Sequence, residues 1–227
     1  TDLAEDAGGN IWIATTNGLN RYERKTGIFT RYVHDNHNNN SLANNIINRL
    51  AFDNDSILWI GTQNGGLDRL NIKQKTFSHH IHVDGASATI SDNNVRTVYK
   101  DSKGRIWAGT ANGGLNLFDP GSDTFTAYPF VDLQTHSLSG RAVISIAENN
   151  KHELWVGTQE DGLYLFNTDN GTFKRFRHED NSANTVSANT IYSLRKDEAG
   201  NLWIGTENGG LTVWDIKAQK FYLYKHD

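Results

Sequence analysis

The sequence predicts an all-β fold made of five repeated four-stranded units, and three observations carry that prediction. A Trp-x-Gly/Ala-Thr run occurs five times, beginning at Trp12, Trp59, Trp107, Trp155 and Trp203, with the tryptophans 47, 48, 48 and 48 residues apart. A fixed period of this length marks a repeat architecture, in which one supersecondary unit is stacked on the next. Within each period the apolar segments are short and rich in β-branched and aromatic side chains. They end in Gly, Asn or Asp, and the 227 residues include 21 Gly and only 2 Pro, which are strand and turn signals. No segment carries a useful length of the 3.6-residue periodicity of an amphipathic helix.

The elements follow in a constant order, clearest in the third repeat. Strand A spans Asn94 to Lys100, and Asp101-Ser102-Lys103-Gly104 turns into the Trp strand, B, from Arg105 to Thr110. Asp-x-x-Gly supplies an Asx-type hydrogen bond and then a residue free to take positive φ. Asn112-Gly113-Gly114 has the composition of a two-residue hairpin and leads into strand C, Leu115 to Phe118. Strand D follows from Thr124 to Tyr128, and a polar crossover of about 20 residues leads to the next repeat. Leu19, Leu67, Leu115, Leu163 and Leu211 open strand C, and Phe29, Phe77, Phe125, Phe173 and Phe221 recur in strand D. The single 47-residue spacing comes from the first repeat, where Asn17-Gly18 replaces Asn-Gly-Gly.

One four-stranded sheet cannot bury these aromatic rings alone. Each Trp offers roughly 150–250 Å², worth about 4–6 kcal/mol gross as an upper bound, and only if a second sheet stacks on it. Radial stacking of four-stranded sheets is a β-propeller. The small residue at Ala14, Gly61, Gly109, Gly157 and Gly205 allows the neighbouring blade to approach closely. The expectation is one propeller domain, residues 1–227, with blades at about 1–44, 45–92, 93–140, 141–188 and 189–227. Trp12, Trp59, Trp107, Trp155 and Trp203 are its structural repeat.

The crossover is periodic too, with Leu42, Ile90, Leu138 and Val186 as its expected anchors. Asn45, Asn93, Arg141 and Asn189 follow just before strand A, near the mouth of a central channel. Together with Arg49, Arg96 and Tyr192 they form the candidate ligand-binding set. They differ between blades, Arg and Asn can hydrogen-bond sugar hydroxyls or a carboxylate, and Tyr can stack on a sugar face. The least repetitive loops are Asp84 to Asp92 and Asp132 to Leu138, and irregular loops on a regular scaffold are where sites are built.

Composition narrows the function classes. A net charge of −4 provides no basic footprint for nucleic acid, and no apolar run is long enough for a membrane span. The absence of Cys removes disulfides, thiol nucleophiles and cysteine-ligated zinc. His79-His80-Ile81-His82 invites a metal reading. However, His34, His82, His178 and His226 share one repeat position, where Phe130 stands in the remaining blade, and a residue repeated around a ring does not converge on one ion. No metal or other cofactor is expected. The only carboxylates near the strand A starts are Asp2 and Asp92, which is thin material for a glycosidase pair, so no catalytic residue is assigned. The Asp-x-x-Gly-x-x-Trp runs from Asp6, Asp101 and Asp197 look similar to the Asp-box turn of sialidases, where it is a turn stabiliser remote from the active site. Ser56 and His152 take the Gly position in blades 2 and 4.

Asp197-Glu198-Ala199-Gly200-Asn201-Leu202-Trp203-Ile204-Gly205-Thr206 with Gly209-Gly210-Leu211, and Asn40-Ser41-Leu42 leading to Asn44-Asn45, resemble the two-component-regulator propeller repeat. The resemblance extends along the whole chain. It implies the periplasmic sensor region of a bacterial hybrid two-component system, held by a membrane-anchored receptor and signalling to a histidine kinase, with an oligosaccharide as ligand and a homodimer of the parent sensor as partner. Neither nucleic acid nor membrane is expected to contact this segment. Propellers of this family usually have seven blades, so the five counted here read either as a ring or as part of a larger propeller. Thr1 falls inside strand A, which reads as a fragment of a longer sensor. A protein-interaction scaffold and a glycan-active propeller enzyme are the alternatives to the sensor reading.

Overall fold

The computed structural model describes residues 2–129, 142–180, 182 and 184–224. Among them lie twenty strands and no helix, grouped into five antiparallel four-stranded sheets that each run in chain order. Blade 1 holds β1 (Leu3–Glu5), β2 (Ile11–Thr15), β3 (Gly18–Glu23) and β4 (Ile28–Tyr32). Blade 2 holds β5 (Ile47–Asn54), β6 (Ile57–Thr62), β7 (Leu67–Asn71) and β8 (Thr76–His80). Blade 3 holds β9 (Val95–Lys100), β10 (Ile106–Thr110), β11 (Leu115–Asp119) and β12 (Thr124–Tyr128). Blade 4 holds β13 (Val143–Asn150), β14 (Glu153–Thr158), β15 (Leu163–Asn167) and β16 (Phe173–Phe176). Blade 5 holds β17 (Ile191–Lys196), β18 (Leu202–Thr206), β19 (Leu211–Asp215) and β20 (Lys220–Tyr224). These are the five four-stranded blades of a β-propeller. They fall into two compact units: residues 1–100 and 104–129 carry blades 1 to 3, and residues 101–103 and 130–227 carry blades 4 and 5.

Within each unit the core lies between blades. In the first unit, Trp12, Ala14, Leu19 and the crossover residue Leu42 pack on Ile47, Leu50, Leu58, Ile60 and Leu70 of blade 2. The next interface repeats this with Trp59, Leu67 and Ile90 against Val95, Val98, Ile106, Ala108 and Phe118. In the second unit, Trp155, Leu163 and Val186 meet Ile191, Leu202, Ile204 and Trp214. Trp12, Trp59 and Trp155 therefore each face the blade that follows within their unit. Trp12, Trp59, Trp107 and Trp155 are 0–2% exposed, and each has a strand D ring as neighbour, such as Tyr32, 5.8 Å from Trp12 centroid to centroid. Gly61 shows why the third motif position is small: a Cβ there would lie 3.0 Å from Val95 Cγ1 and 3.1 Å from Val98 Cγ2 of the next blade. The crossover anchors Leu42, Ile90 and Val186 are buried; Leu138 lies outside the described residues.

The Thr of the motif closes the turn between strands B and C. Its hydroxyl donates to the carbonyl oxygen of Gly18, Gly66, Gly114, Gly162 or Gly210 at 2.7–3.2 Å. In blades 2 to 5 this turn is a four-residue loop rather than a two-residue hairpin, because strand B ends at Thr62 and strand C begins at Leu67, and their counterparts do likewise. Residues at positive φ, such as Asn64 at 66° and Gly66 at 79°, make that longer loop.

Blades 2 and 4 differ from blade 1 where their Asp-x-x-Gly turn is degraded. In blade 1, Gly9 at φ 80° lets the chain return over five residues, and Asp6 lies inside the turn. Ser56 and His152 stand at that position, and there the strands extend into two-residue hairpins closed by the pairs Asn54–Ile57 and Asn150–Glu153. One residue is bulged out on the way in each case, and in blade 2 it is Asp53.

Candidate functional site

Strand A forms one edge of each sheet, and within each unit it lies beside the A strand of the adjacent blade. Asn48 Nδ2 donates to Val95 O at 2.8 Å, and Leu50 N donates to Asp2 Oδ2 at 3.0 Å in the first unit. In the second, Ser145 Oγ donates to Ile191 O at 3.0 Å. In blades 2 to 5 this strand begins with a β-bulge: the pairing slips between Ile47 and Arg49, between Val95 and Thr97, between Val143 and Ser145, and between Ile191 and Ser193. The extra residues are Asn48, Arg96, Ile144 and Tyr192. A bulge leaves its residue unpaired and re-aims its side chain, and here no two blades place the same residue on it.

The sequence-derived set separates in the structure. Asn45, Asn93 and Asn189 belong to the scaffold. Their Oδ1 atoms accept the backbone N–H of His34, His82 and His178 at 2.7–2.8 Å, and their carbonyl oxygens accept Gly18, Gly66 and Gly162 N–H at 2.7–2.8 Å. The same histidines place Nδ1 2.5, 2.9 and 2.7 Å from the carbonyl oxygens of Leu42, Ile90 and Val186. Asn and His together thus clamp the crossover, which explains their repetition. Arg141 lies outside the described residues, as do His226 and the 132–138 loop.

Arg49, Arg96 and Tyr192 remain. Arg49 is half-buried, opposite Gly61, with Nη1 3.6 Å from Asp2 Oδ1. Arg96 is half-buried, and its Nε has no protein hydrogen-bond partner among the described residues. Tyr192, in the second unit, is 49% exposed and donates to Glu207 Oε1 at 2.8 Å; that hydrogen bond raises its hydroxyl pKa above the ordinary phenol value. Asn48 and Ile144 share the bulge position, and sequence reading missed them. Their signal was present: Ile47 and Leu50, like Val95 and Val98, are buried on one face three residues apart, a spacing an unbulged strand cannot give.

Blade 4 adds a cluster of its own. Asp161 takes the Gly65 position of its turn and is buried, accepting the Tyr164 hydroxyl, with Arg175 Nη1 3.3 Å away. Burial and Asp161 push the Tyr164 hydroxyl up to about 12. In blades 2, 3 and 5 the residue at the Tyr164 position instead receives the crossover backbone, through Asp68 from Ala43 N, Asn116 from Ser91 N and Thr212 from Ser187 N.

These groups can donate hydrogen bonds and stack, but they do not form an acid/base pair. Asp2 is engaged by Leu50 and Arg49, and Asp92 by Asn94 and Asn112. Among the described residues no group of three or more His, Asp or Glu is arranged to hold a metal ion. No helix among them is long and apolar enough to cross a membrane.

Three segments, residues 41–64, 89–112 and 185–208, match the family model described as two component regulator propeller. Each runs from a crossover anchor through strand A and the Trp motif into the B–C turn. A search of curated proteins finds no match. Among solved structures, the extracellular domain of BT3049 from B. thetaiotaomicron, assigned as a hybrid two component system, superposes with a TM-score of 0.82 at 24% identity over 97% of this chain. The extracellular domain of BT4673 from the same organism, assigned as a one component system, gives 0.74 at 23% over 93%. PorZ, a surface component of the type-IX secretion system of Porphyromonas gingivalis, gives 0.68 at 20% over 93%. The chain spans 29%, 26% and 31% of those three chains. This is an all-β propeller chain, three segments of which match the two component regulator propeller model.

Proposed function

We propose that the chain is a non-catalytic sensory module of a bacterial two-component receptor, located outside the cytoplasm. It recognises an oligosaccharide or a similar small polar ligand and passes the event to a histidine kinase in the parent chain. The observation that carries this reading is the contrast at the head of strand A. The scaffold there repeats from blade to blade, while the bulge residue changes each time, from Asn48 to Arg96 to Ile144 to Tyr192. Site residues vary on a constant frame in this way when the frame is kept for stability and the variable positions for recognition. The match to the two component regulator propeller family supports the signalling class. Fold alone does not choose between functions, as the similarity to PorZ illustrates.

The test is calorimetry of the parent ectodomain against a panel of plant and host glycans. Arg96→Ala and Tyr192→Ala should each weaken binding by roughly tenfold while leaving the melting temperature unchanged. If no glycan binds, or if both variants bind as the wild type does, the reading is wrong.

A second reading, a protein-interaction scaffold, rests on a different observation. Trp203 of blade 5 is 40% exposed, with Tyr222 and Tyr224 exposed on the same face, and Phe29 and Leu3 of blade 1 are exposed at 62% and 67%. Sedimentation of the ectodomain with and without ligand separates the two. Ligand-independent self-association that Trp203→Glu abolishes supports the scaffold.

A further inference from the structure

Blade 1 shows what an intact Asp-x-x-Gly turn does for its Trp. Asp6 Oδ2 accepts Trp12 Nε1–H at 3.0 Å and lies 3.6 Å from Arg21 Nε, whose guanidinium sits 5.7 Å from the Trp12 ring centroid. Asp197 does the same for Trp203 Nε1 at 2.9 Å. Blade 2 keeps the donors: Arg69 lies over Trp59 at 5.8 Å, in the same arrangement. It does not keep the acceptor. With Ser56 at the glycine position, Asp53 is bulged out, and its Oδ1 lies 3.5 Å from Lys100 Nζ.

One consequence is visible. Trp59 is 1% exposed, and its Nε1 is buried without a protein hydrogen-bond partner among the described residues, whereas Arg69 Nε is unpartnered just as Arg21 Nε is in blade 1. Arg69 also lines a cavity of about 130 Å³ on the rim of the blade, with Asn71, Gln74, Thr76 and Ser78 as polar wall and Ile57 where blade 1 has Asn10. That is well below the roughly 300 Å³ at which drug-sized ligand sites begin, so it suits a compact acid.

We propose that blade 2 holds a carboxylate-binding site, in which the Trp59 indole N–H and the Arg69 guanidinium receive the carboxylate of a small free acid. The ligand supplies from outside the group that Asp6 supplies in blade 1. A guanidinium presents fixed donors to a carboxylate, and an indole N–H enclosed without an acceptor forfeits a hydrogen bond that the ligand restores. Asn71, Thr76 and Ser78 offer hydrogen bonds to a hydroxyl or second polar group on the acid.

The experiment is an acetate titration followed through the six indole N–H resonances, with chloride at equal ionic strength as the control. Trp59→Phe assigns the Trp59 signal. The expected result is a saturable shift of Trp59 alone, with a dissociation constant on the order of 1–10 mM, absent in Arg69→Gln. Trp12 and Trp203, already bonded to Asp6 and Asp197, should stay in place. No shift of Trp59, a shift shared by all the indoles, an equal response to chloride, or a response that survives Arg69→Gln overturns the proposal. The double variant Ser56→Gly/Ile57→Asn rebuilds the Asp-x-x-Gly-Asn-Leu-Trp turn and brings Asp53 back into it. Loss of the acetate response in that variant supports the site, and retention overturns it.

Discussion

His79 Nδ1 lies 2.7 Å from Oδ1 of Asp68, a carboxylate with no exposed side-chain surface. The other ring nitrogen of His79 reaches Asn39 O at 2.9 Å, and Asp68 Oδ2 accepts Ala43 N–H at 2.8 Å. The pair thereby fastens the crossover to blade 2. Its neighbour His80 has the opposite character. It is packed against Trp59, Phe118 and Phe125, and its Nε2 has no hydrogen-bond partner among the described residues.

The two histidines pull stability in opposite directions with pH. The hydrogen bond to Asp68 raises the His79 pKa above 6.5, so its contribution is complete below about 6.5 and is lost as pH rises through the higher folded value. Burial lowers the His80 pKa below 6.5, so its contribution is present above about 6.5 and is lost as pH falls through the lower folded value. Urea unfolding at about pH 5 and about pH 8 separates them. His80→Phe should stabilise the protein most at the acid end, and His79→Gln should cost most there. Equal effects of either variant at both pH values would contradict this assignment.

The Asp6 turn predicts an acid-side loss. Burial opposes ionisation of Asp6, but hydrogen bonds from Trp12, Asn10 and Gly8 outweigh it and hold the carboxyl below 3.8. Its stabilisation is therefore present above that value and is lost as pH falls through the lower folded pKa. Asp6→Ala should cost about 1–3 kcal/mol near neutrality, because it strands the Trp12 indole N–H. Denaturant titration of the variant measures the cost. A loss below 0.5 kcal/mol, a magnitude ordinary for surface changes and so about nil here, would mean that the turn is held by other contacts.

Motif glycines can be ranked. A Cβ at Gly61 meets Val95 Cγ1 at 3.0 Å, whereas one at Gly157 meets Ile191 Cγ2 at 2.7 Å and Cβ at 2.9 Å. Blade 1 already carries Ala14 at this position. Gly61→Ala should lie near the lower end, and Gly157→Ala near the upper end, of the roughly 1–3 kcal/mol typical of overpacking. Melting both variants tests the order, and a reversed order would show that blade 2 yields less readily than its geometry implies.

The two kinds of residue at the head of strand A should respond differently to truncation. Asn93→Ala removes the acceptor for His82 N–H and should lower stability by about 1–2 kcal/mol. Arg96→Ala removes a side chain whose Nε has no protein partner and should leave stability within about 0.5 kcal/mol. Thermal melts of the two variants side by side check the distinction.

The blades were legible because their determinants recur. A Trp that packs forward, a Leu that opens strand C and a Thr hydroxyl that closes the next turn each return every 47 or 48 residues. The bulge was not legible. A strand that gains one residue looks like a slightly irregular strand, and only the three-residue separation of Ile47 and Leu50 betrays it. The scaffold role of Asn45, Asn93 and Asn189 was hidden for a related reason. Composition shows that a carboxamide precedes strand A, but not that its oxygen accepts a histidine N–H. The blade 2 cavity needed coordinates as well: Ser56 for Gly is visible in the sequence, whereas the outward swing of Asp53 follows from hairpin geometry.

The forward orientation of the tryptophans has a consequence for biosynthesis. In every blade pair that shares a unit, the Trp of the earlier blade is covered by residues of the later one. A blade leaving the ribosome therefore presents its indole to water until the following 48 or so residues have been translated. Its antiparallel meander pairs locally, but consolidation waits for its successor, so ordering advances from the N-terminus one repeat behind synthesis. Pausing translation between Trp59 and Val95 would hold blade 2 in that half-finished state, accessible to a chaperone through the same ring that later anchors it.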